Sequence, residues 1–116
     1  MSVKIYHNPR CSKSRQTLAL IQDQGFKPEI IEYLKQPPSL DELNNILQLL
    51  KMAPRDLVRK QEAEYKELGL DNPELSNEAL CNALVSTPKL MERPIVISNN
   101  KAVIGRPPEV VLSILN

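Results

Sequence analysis

The chain has 116 residues, and its 15 basic and 14 acidic side chains give a net charge of +1. A charge this small creates no long-range field that would attract nucleic acid or an anionic membrane, and aromatic residues, at 3% of the chain, offer little for base stacking. We therefore expect no nucleic-acid partner and no membrane partner, and the length suits one domain, residues 1–116.

Cysteine usage indicates a reducing compartment. The chain has two cysteines and no N-terminal apolar run of the kind found in signal peptides, and no stretch is long enough to cross a bilayer. We therefore expect a cytoplasmic protein without a structural disulfide. One histidine and two cysteines do not assemble an ordinary zinc site by themselves, so no metal site is expected.

The first part of the chain predicts a strand, a helix and a second strand. Residues 3–6 form the first strand, and the helix runs from about Cys11 to about Gln24, with Gly25 as its C-cap. Residues 28–33 form the second strand. A strand, a helix and a strand this close together form a βαβ unit, which predicts that the two strands are parallel neighbours.

The middle of the chain predicts a helical insertion at about 39–88. Its first helix begins at a capping box made by Ser39 and Glu42, and continues with apolar residues at helical spacing. Residues 54–68 predict one or two short helices. A further helix begins near Ser76 and ends just before Pro88.

The last part of the chain predicts a hairpin and a terminal helix. The strands are 94–97 and 102–104, joined by a tight turn at Asn99-Asn100, and Pro107-Pro108 open the helix. The full order is then β-α-β, a helical insertion, and β-β-α. This order is typical of a thioredoxin-like α/β fold, a mixed four-stranded sheet flanked by helices.

Cys11 is the candidate nucleophile because it lies where the first helix begins. Unpaired backbone N–H groups and the positive end of the helix dipole favour a thiolate there, and the same N–H groups can hold an oxyanion. We therefore expect the pKa of Cys11 to lie below that of a free cysteine. The alternative is an inert buried thiol.

Three further residues bear on how this cysteine works. Ser14 stands where a dithiol redox pair would carry its second cysteine, so an intermediate on Cys11 has to be released by an external thiol. Cys81 is the candidate resolving thiol, but it lies in the middle of a predicted helix beside Leu80 and Leu84, so we expect a packed structural thiol. His7 either tunes the pKa of Cys11 or is a partly exposed histidine at a strand end.

Arg59, Arg93 and Arg106 lie in contexts that suit oxyanion binding. Arg59 closes a short helix, whereas Arg93 and Arg106 each precede a proline at the start of an element. The predicted fold brings these last two turns towards the amino end of the first helix. A guanidinium pairs with a tetrahedral oxyanion through two parallel hydrogen bonds, which a lysine does not reproduce.

Several blocks of the chain, taken in order and spacing, carry a family resemblance. They are Tyr6-His-Asn-Pro-Arg-Cys-Ser-Lys-Ser-Arg-Gln-Thr-Leu, Tyr33-Leu-Lys-Gln-Pro-Pro-Ser, Leu57-Val-Arg-Lys, Tyr65-Lys-Glu-Leu-Gly-Leu and Arg93-Pro-Ile-Val with Ile104-Gly-Arg-Pro-Pro-Glu-Val-Val. Together they resemble the glutaredoxin-dependent arsenate reductase family over nearly the whole chain. Members best known for arsenate resistance carry Cys-Gly-Thr-Ser-Arg, where this chain has Cys11-Ser-Lys-Ser-Arg.

The resemblance implies a fold, an activity and a set of roles. It implies a thioredoxin-like fold with a helical insertion and reduction of arsenate to arsenite through a cysteine–arsenic adduct. Glutathione would be the co-substrate and glutaredoxin the partner, with no bound cofactor. Cys11 would be the nucleophile, with His7 beside it, and the oxyanion-binding residues would be Arg59, Arg93 and Arg106. The Arg93–Pro94 peptide would be cis.

Two other functions are alternatives. A cysteine phosphatase-like loop needs an arginine six positions after its cysteine, but that position is Thr17, so this alternative fails. Thioredoxin-like regulators that bind RNA polymerase share the overall pattern and use the cysteine as a redox switch, without arsenate turnover. Many of them carry a second cysteine where Ser14 stands, so Ser14 and the three arginines favour the reductase.

Overall fold

The computed structural model describes residues 2–115, which fall into two compact units. The first joins the segment before Pro37 to the segment after Glu92, and we call it the sheet unit. The second is Pro37–Glu92, which we call the helical unit. The single-domain organisation over 1–116 stays a prediction.

The sheet unit contains a mixed four-stranded sheet in the order β2-β1-β3-β4. Its strands are β1 (Val3–His7), β2 (Glu29–Glu32), β3 (Ile95–Ser98) and β4 (Lys101–Ile104). β1 is parallel to β2 and antiparallel to β3, which is antiparallel to β4. The parallel pair is the βαβ unit that the sequence predicts, and the mixed sheet is confirmed.

Helix α1 (Ser12–Asp23) connects β1 to β2 and packs on the sheet. Its Ile21 is completely buried with Ile5 of β1 and Val96 of β3 in the core of this unit. Gly25 follows the helix with a φ of +87°, a left-handed conformation in which the absence of a Cβ removes the steric cost. The C-cap residue is Gln24, one position before the predicted Gly25, and Gly25 has the left-handed conformation on which the prediction was based.

The hairpin of β3 and β4 also follows the prediction. Asn99 and Asn100 have φ values of +56° and +57°, as both central residues of a type I′ turn require. Asn is one of the few residues that adopt this conformation readily. The Asn99 side chain also donates to the carbonyl of Ile114 at 3.0 Å, which ties the turn to the end of the chain.

The last segment differs from the prediction. Pro108–Ile114 is a 3-10 helix and not an α-helix. Its buried residues are Pro108, Val111 and Ile114, spaced by three, and residues three apart line one face of a 3-10 helix. The apolar period of this segment is thus three, which places the buried residues in one line along a 3-10 helix, whereas on an α-helix the same spacing drifts around the axis.

The helical unit contains four α-helices and a 3-10 segment. They are α2 (Leu40–Leu50), α3 (Pro54–Leu57), α4 (Ala63–Glu67), α5 (Asn77–Ser86) and the 3-10 segment Pro88–Leu90. The capping box of α2 is present, with Ser39 accepting from the Glu42 N–H and Glu42 accepting from the Ser39 N–H. The predicted order of helices is confirmed.

None of the helices within residues 2–115 is long and apolar enough to cross a membrane. Over the same residues, no group of three or more His, Cys, Asp or Glu side chains is arranged to hold a metal ion.

Candidate active site

Cys11 is the N-cap residue of α1. Its backbone is extended (φ −95°, ψ 122°), its N–H donates to the Asn8 carbonyl at 3.0 Å, and its carbonyl accepts from the Arg15 N–H at 3.0 Å. The first turn of α1 contains no acidic residue that would offset the positive end of the helix dipole. The thiol therefore lies at the amino end of the helix, where the sequence predicts it.

The surroundings of Cys11 favour its thiolate. Burial raises the pKa of a thiol, but here the Arg93 guanidinium and the backbone N–H groups of Ser14 and Lys13 approach the sulfur and outweigh that effect. The pKa of Cys11 is therefore below its ordinary value. Cys11 is buried, with 9% of its surface exposed, as the alternative of a buried thiol has it, but the direction of its pKa shift is not that of an inert thiol.

Arg93 and Arg106 meet at this cysteine. Arg106 Nη1 lies 3.8 Å from Cys11 Sγ and donates to the Arg93 carbonyl at 3.3 Å. Both arginines are part of the sheet unit, and the structure brings them to the predicted place. The Arg93–Pro94 peptide is cis, as the resemblance implies, and the Arg106–Pro107 peptide, for which no such expectation was made, is cis as well.

Gly105 allows the chain before Arg106 to approach α1 closely, a feature that the sequence analysis missed. A Cβ at this position would lie 2.5 Å from Thr17 Oγ1 and 2.9 Å from Pro94 Cγ. The Gly105 N–H donates to the Pro94 carbonyl at 2.9 Å, and the Thr17 hydroxyl approaches the Gly105 carbonyl at 3.3 Å. The signal in the sequence is a glycine placed directly before Arg106, which the sequence predicts to bind an oxyanion.

Arg59 belongs to the helical unit. Its backbone N–H donates to the Leu90 carbonyl at 2.7 Å. Its guanidinium forms ion pairs with Glu62 at 3.0 Å and Glu92 at 3.1 Å. Within its own unit, Arg59 is thus fixed by two carboxylates, and its predicted oxyanion-binding role stays a prediction.

His7 is buried, so the partly exposed alternative is wrong. Its Nδ1 lies 2.6 Å from Ser14 Oγ, and the same hydroxyl accepts the Asn8 N–H at 3.0 Å. Burial lowers the pKa of His7, and the Glu32 carboxylate opposes this only in part. The imidazole is therefore neutral near pH 7.

The hydrogen bond between His7 and Ser14 connects the histidine to the Cys11 thiol indirectly. Because Ser14 Oγ already accepts from Asn8, its own proton is free to go to Nδ1 of the neutral ring, an assignment made from the hydrogen-bond network. Ser14 also directs its backbone N–H at Cys11. From the sequence, Ser14 was notable only because a dithiol redox pair would have its second cysteine at this position.

Tyr33 is a second residue that the sequence analysis did not place at the site. It directly follows β2, its side chain is only 1% exposed, and its hydroxyl lies near Asn8 and the Arg93 guanidinium. Burial raises the pKa of Tyr33 even though Arg93 and Asn8 act in the opposite direction. The sequence shows only a tyrosine at a strand end, which is common in cores.

Cys81 is buried like Cys11, but its pKa is shifted in the opposite direction. It is buried in α5, its Sγ lies 3.8 Å from Asn44 Oδ1, and burial raises its pKa. These are the properties of a packed, protonated thiol.

A mixed sheet whose first helix begins at a low-pKa cysteine, opposite a cis-proline loop, is a thioredoxin-like arrangement. The fold class predicted from the order of elements is thus confirmed. Within that class, the chain belongs to the ArsC family, whose family model matches residues 6–114. The resemblance of the sequence blocks to arsenate reductases is confirmed at the level of the family.

Individual relatives agree with this assignment. The chain is 55% identical to the uncharacterized protein YfgD of Escherichia coli K12, over 97% of this chain and 96% of that protein. It is 50% identical to an arsenate reductase of Haemophilus influenzae, over 99% of this chain and 100% of that protein. The solved structure of an arsenate reductase from Vibrio cholerae is similar with a TM-score of 0.96 at 52% identity, covering 99% of this chain and 98% of that one.

Proposed function

We propose that this protein is an arsenate reductase that uses Cys11 as its nucleophile, and glutathione and glutaredoxin as reductants. The observation that carries the proposal is the low-pKa Cys11 thiol with the Arg106 guanidinium 3.8 Å away and the Arg93 guanidinium beside it. A thiolate that faces two cations suits attack on a tetrahedral oxyanion. Full-length similarity to the arsenate reductases of Haemophilus influenzae and Vibrio cholerae supports arsenate as that oxyanion.

In the first step, the Cys11 thiolate attacks the arsenic of dihydrogen arsenate. The new bond joins sulfur to As(V), the bond from arsenic to one hydroxyl oxygen breaks, and that oxygen takes a proton from solvent and leaves as water. Arg93 and Arg106 neutralise the charge that gathers on the arsenate oxygens. His7 and Ser14 contribute by fixing the first turn of α1, whose Ser14 and Lys13 N–H groups face the sulfur.

In the second step, the thiol of glutathione attacks the Cys11 sulfur of the adduct. The sulfur–arsenic bonding pair stays on arsenic, which becomes As(III) and leaves as arsenite, and the glutathione proton joins it. The two sulfurs are oxidised to a mixed disulfide. An external thiol is needed because Ser14, three residues after the nucleophile, has no sulfur with which to form an internal disulfide, and the family resemblance implies that this thiol is glutathione.

In the third step, glutaredoxin takes the glutathionyl group from Cys11 by thiol–disulfide exchange. The reducing equivalents all arrive as thiols, so these three steps need no bound cofactor. We propose the cytoplasm as the location, since glutathione and glutaredoxin maintain a reducing thiol pool there. Arg59 remains assigned to the oxyanion by the family resemblance alone.

The test is arsenite production from arsenate with glutathione and glutaredoxin present. We expect Cys11→Ser to abolish turnover and Cys81→Ser to retain it, because only Cys11 has a stabilised thiolate. Omitting glutaredoxin should leave the mixed disulfide unresolved and stop turnover after about one cycle. Absence of turnover in the wild-type protein, together with retention of the polymerase α subunit in a pull-down, would instead support the redox-sensing regulator.

A further inference from the structure

Tyr33 lies at the start of the loop that follows β2, beside the loop that carries the reactive cysteine. In the parallel pairing of β1 and β2, Glu32 is opposite His7, so Tyr33, the next residue, stands beside Asn8. Cys11 follows Asn8 by three residues. The carboxyl ends of parallel strands are where open α/β sheets bind their ligands.

The Tyr33 hydroxyl is surrounded by donors. It makes no hydrogen bond of regular geometry with any of residues 2–115, although the side chain is 1% exposed. The groups that approach it more loosely are the Asn8 amide and the Arg93 guanidinium. The guanidinium has no acceptor, and the Asn8 amide oxygen already accepts the Arg10 N–H at 3.0 Å.

This arrangement leaves the phenolic proton without a regular acceptor among the described residues. A buried hydroxyl that lacks an acceptor costs free energy, and such groups call for an explanation in a native protein. Burial raises the pKa of Tyr33, so the hydroxyl keeps its proton at neutral pH and can donate it. An oxygen of a bound ligand would supply the acceptor that the described residues do not provide.

The Cys11 thiolate is not favoured as that acceptor, because the contacts that lower its pKa come from Arg93, Ser14 and Lys13 and not from Tyr33. An arsenate oxygen beside Arg93 fits better, since Arg93 borders both the sulfur and the phenol. We infer that the Tyr33 hydroxyl donates a hydrogen bond to an oxygen of the tetrahedral oxyanion held at Cys11. This inference rests on the proposed function. It adds the Tyr33 hydroxyl, a neutral donor, to the Arg93 and Arg106 guanidiniums that would bind the oxyanion.

The experiment compares Tyr33→Phe, which removes only the hydroxyl, with Tyr65→Phe, which does the same to a buried tyrosine of the helical unit. Cys11 is alkylated with iodoacetamide, without glutathione, at increasing arsenate concentrations. The arsenate concentration that gives half protection should rise about tenfold in Tyr33→Phe, as expected for loss of a hydrogen bond to an anion, and should not change in Tyr65→Phe. The arsenate-free alkylation rate and its pH midpoint should stay at the wild-type values in both variants.

The outcomes separate this inference from the proposed function. If arsenate fails to protect even wild-type Cys11, the oxyanion site itself is wrong. If arsenate protects wild type and Tyr33→Phe at the same concentration, the proposed function stands and the inference is overturned. A higher pH midpoint for alkylation in Tyr33→Phe would overturn it as well, because the hydroxyl would then serve the thiolate. Loss of folded structure in Tyr33→Phe would also overturn it, because the hydroxyl would then have its partner within the protein.

Discussion

Arg106 Nη1 lies 3.8 Å from Cys11 Sγ, although 95 positions separate the two residues in the chain. The same nitrogen donates to the Arg93 carbonyl, which fixes an otherwise exposed side chain over the sulfur. One residue before it, Gly105 lies against α1 without space for a Cβ. The reactive sulfur and its cation are therefore positioned by the close contact between the end of β4 and the start of α1.

Arg106→Lys tests whether the two parallel N–H donors of the guanidinium contribute to activity in addition to its positive charge. Lysine keeps the positive charge but not the two parallel donors, so we expect kcat/KM for arsenate to fall about tenfold to a hundredfold. Arg10→Lys, at an exposed position of the neighbouring turn, is the matched control and should keep near wild-type activity. Equal values for the two variants would show that Arg106 acts through its charge alone.

The pH dependence of Cys11 alkylation tests the origin of its low pKa. The rate should follow the thiolate, so its midpoint should lie below that of an ordinary thiol. Arg93→Ala should move the midpoint upward, because the Arg93 guanidinium is the largest of the contacts that lower this pKa. Lys13→Ala should leave the midpoint almost unchanged, since Lys13 contacts the sulfur through its backbone N–H. A shift in Lys13→Ala as large as in Arg93→Ala would contradict this account.

Ser14→Ala tests the link between His7 and the first turn of α1. It removes the acceptor of the Asn8 N–H and the partner of His7 Nδ1, and both groups are largely shielded from water. We expect the free energy of unfolding, measured in urea, to fall by about 1–3 kcal/mol. Ser12→Ala, two residues earlier and exposed, should change it by no more than about 0.5 kcal/mol. Equal stability of the two variants would count against a structural role for this bond.

Gly105→Ala tests the close contact between β4 and α1. The added methyl group would overlap Thr17 and Pro94, so we expect a loss of about 1–3 kcal/mol in the free energy of unfolding. The shift of the backbone should also move Arg106 away from the sulfur and slow arsenate turnover. The double variant with Thr17→Ala should recover part of both losses, because Thr17 supplies the shortest overlap. A Gly105→Ala variant as stable as the wild-type protein would show that Thr17 and Pro94 move aside without cost, and would contradict this account.

Many features of the fold could be predicted from local sequence patterns. A few neighbouring residues decide the Ser39 capping box, the Asn99-Asn100 turn and the left-handed Gly25 that follows α1, so these features were predictable. Cys11 was predictable for the same reason, because a turn followed by a helix start sets its environment. The terminal 3-10 helix was not, since Pro107-Pro108 open either helix type and only the three-residue burial period distinguishes them.

The parts of the site that sequence analysis missed depend on contacts between distant segments. Tyr33 becomes a site residue only because β2 lies parallel to β1, and Gly105 only because β4 ends against α1. The turns of Arg93 and Arg106 were placed correctly because the predicted topology already brought them to the amino end of α1. The sequence indicated only that Ser14 is not a cysteine. The hydrogen bond between its hydroxyl and His7 was not predicted.

The central claim is that Cys11 is the sulfur through which arsenic is reduced, and intact-protein mass spectrometry tests it most directly. The protein is incubated with arsenate and glutathione, but without glutaredoxin, and the modified residue is mapped by peptide analysis. We predict one glutathione adduct, located on Cys11, that forms only when arsenate is present. An adduct on Cys81, a disulfide between Cys11 and Cys81, or an adduct that forms equally without arsenate would contradict the account.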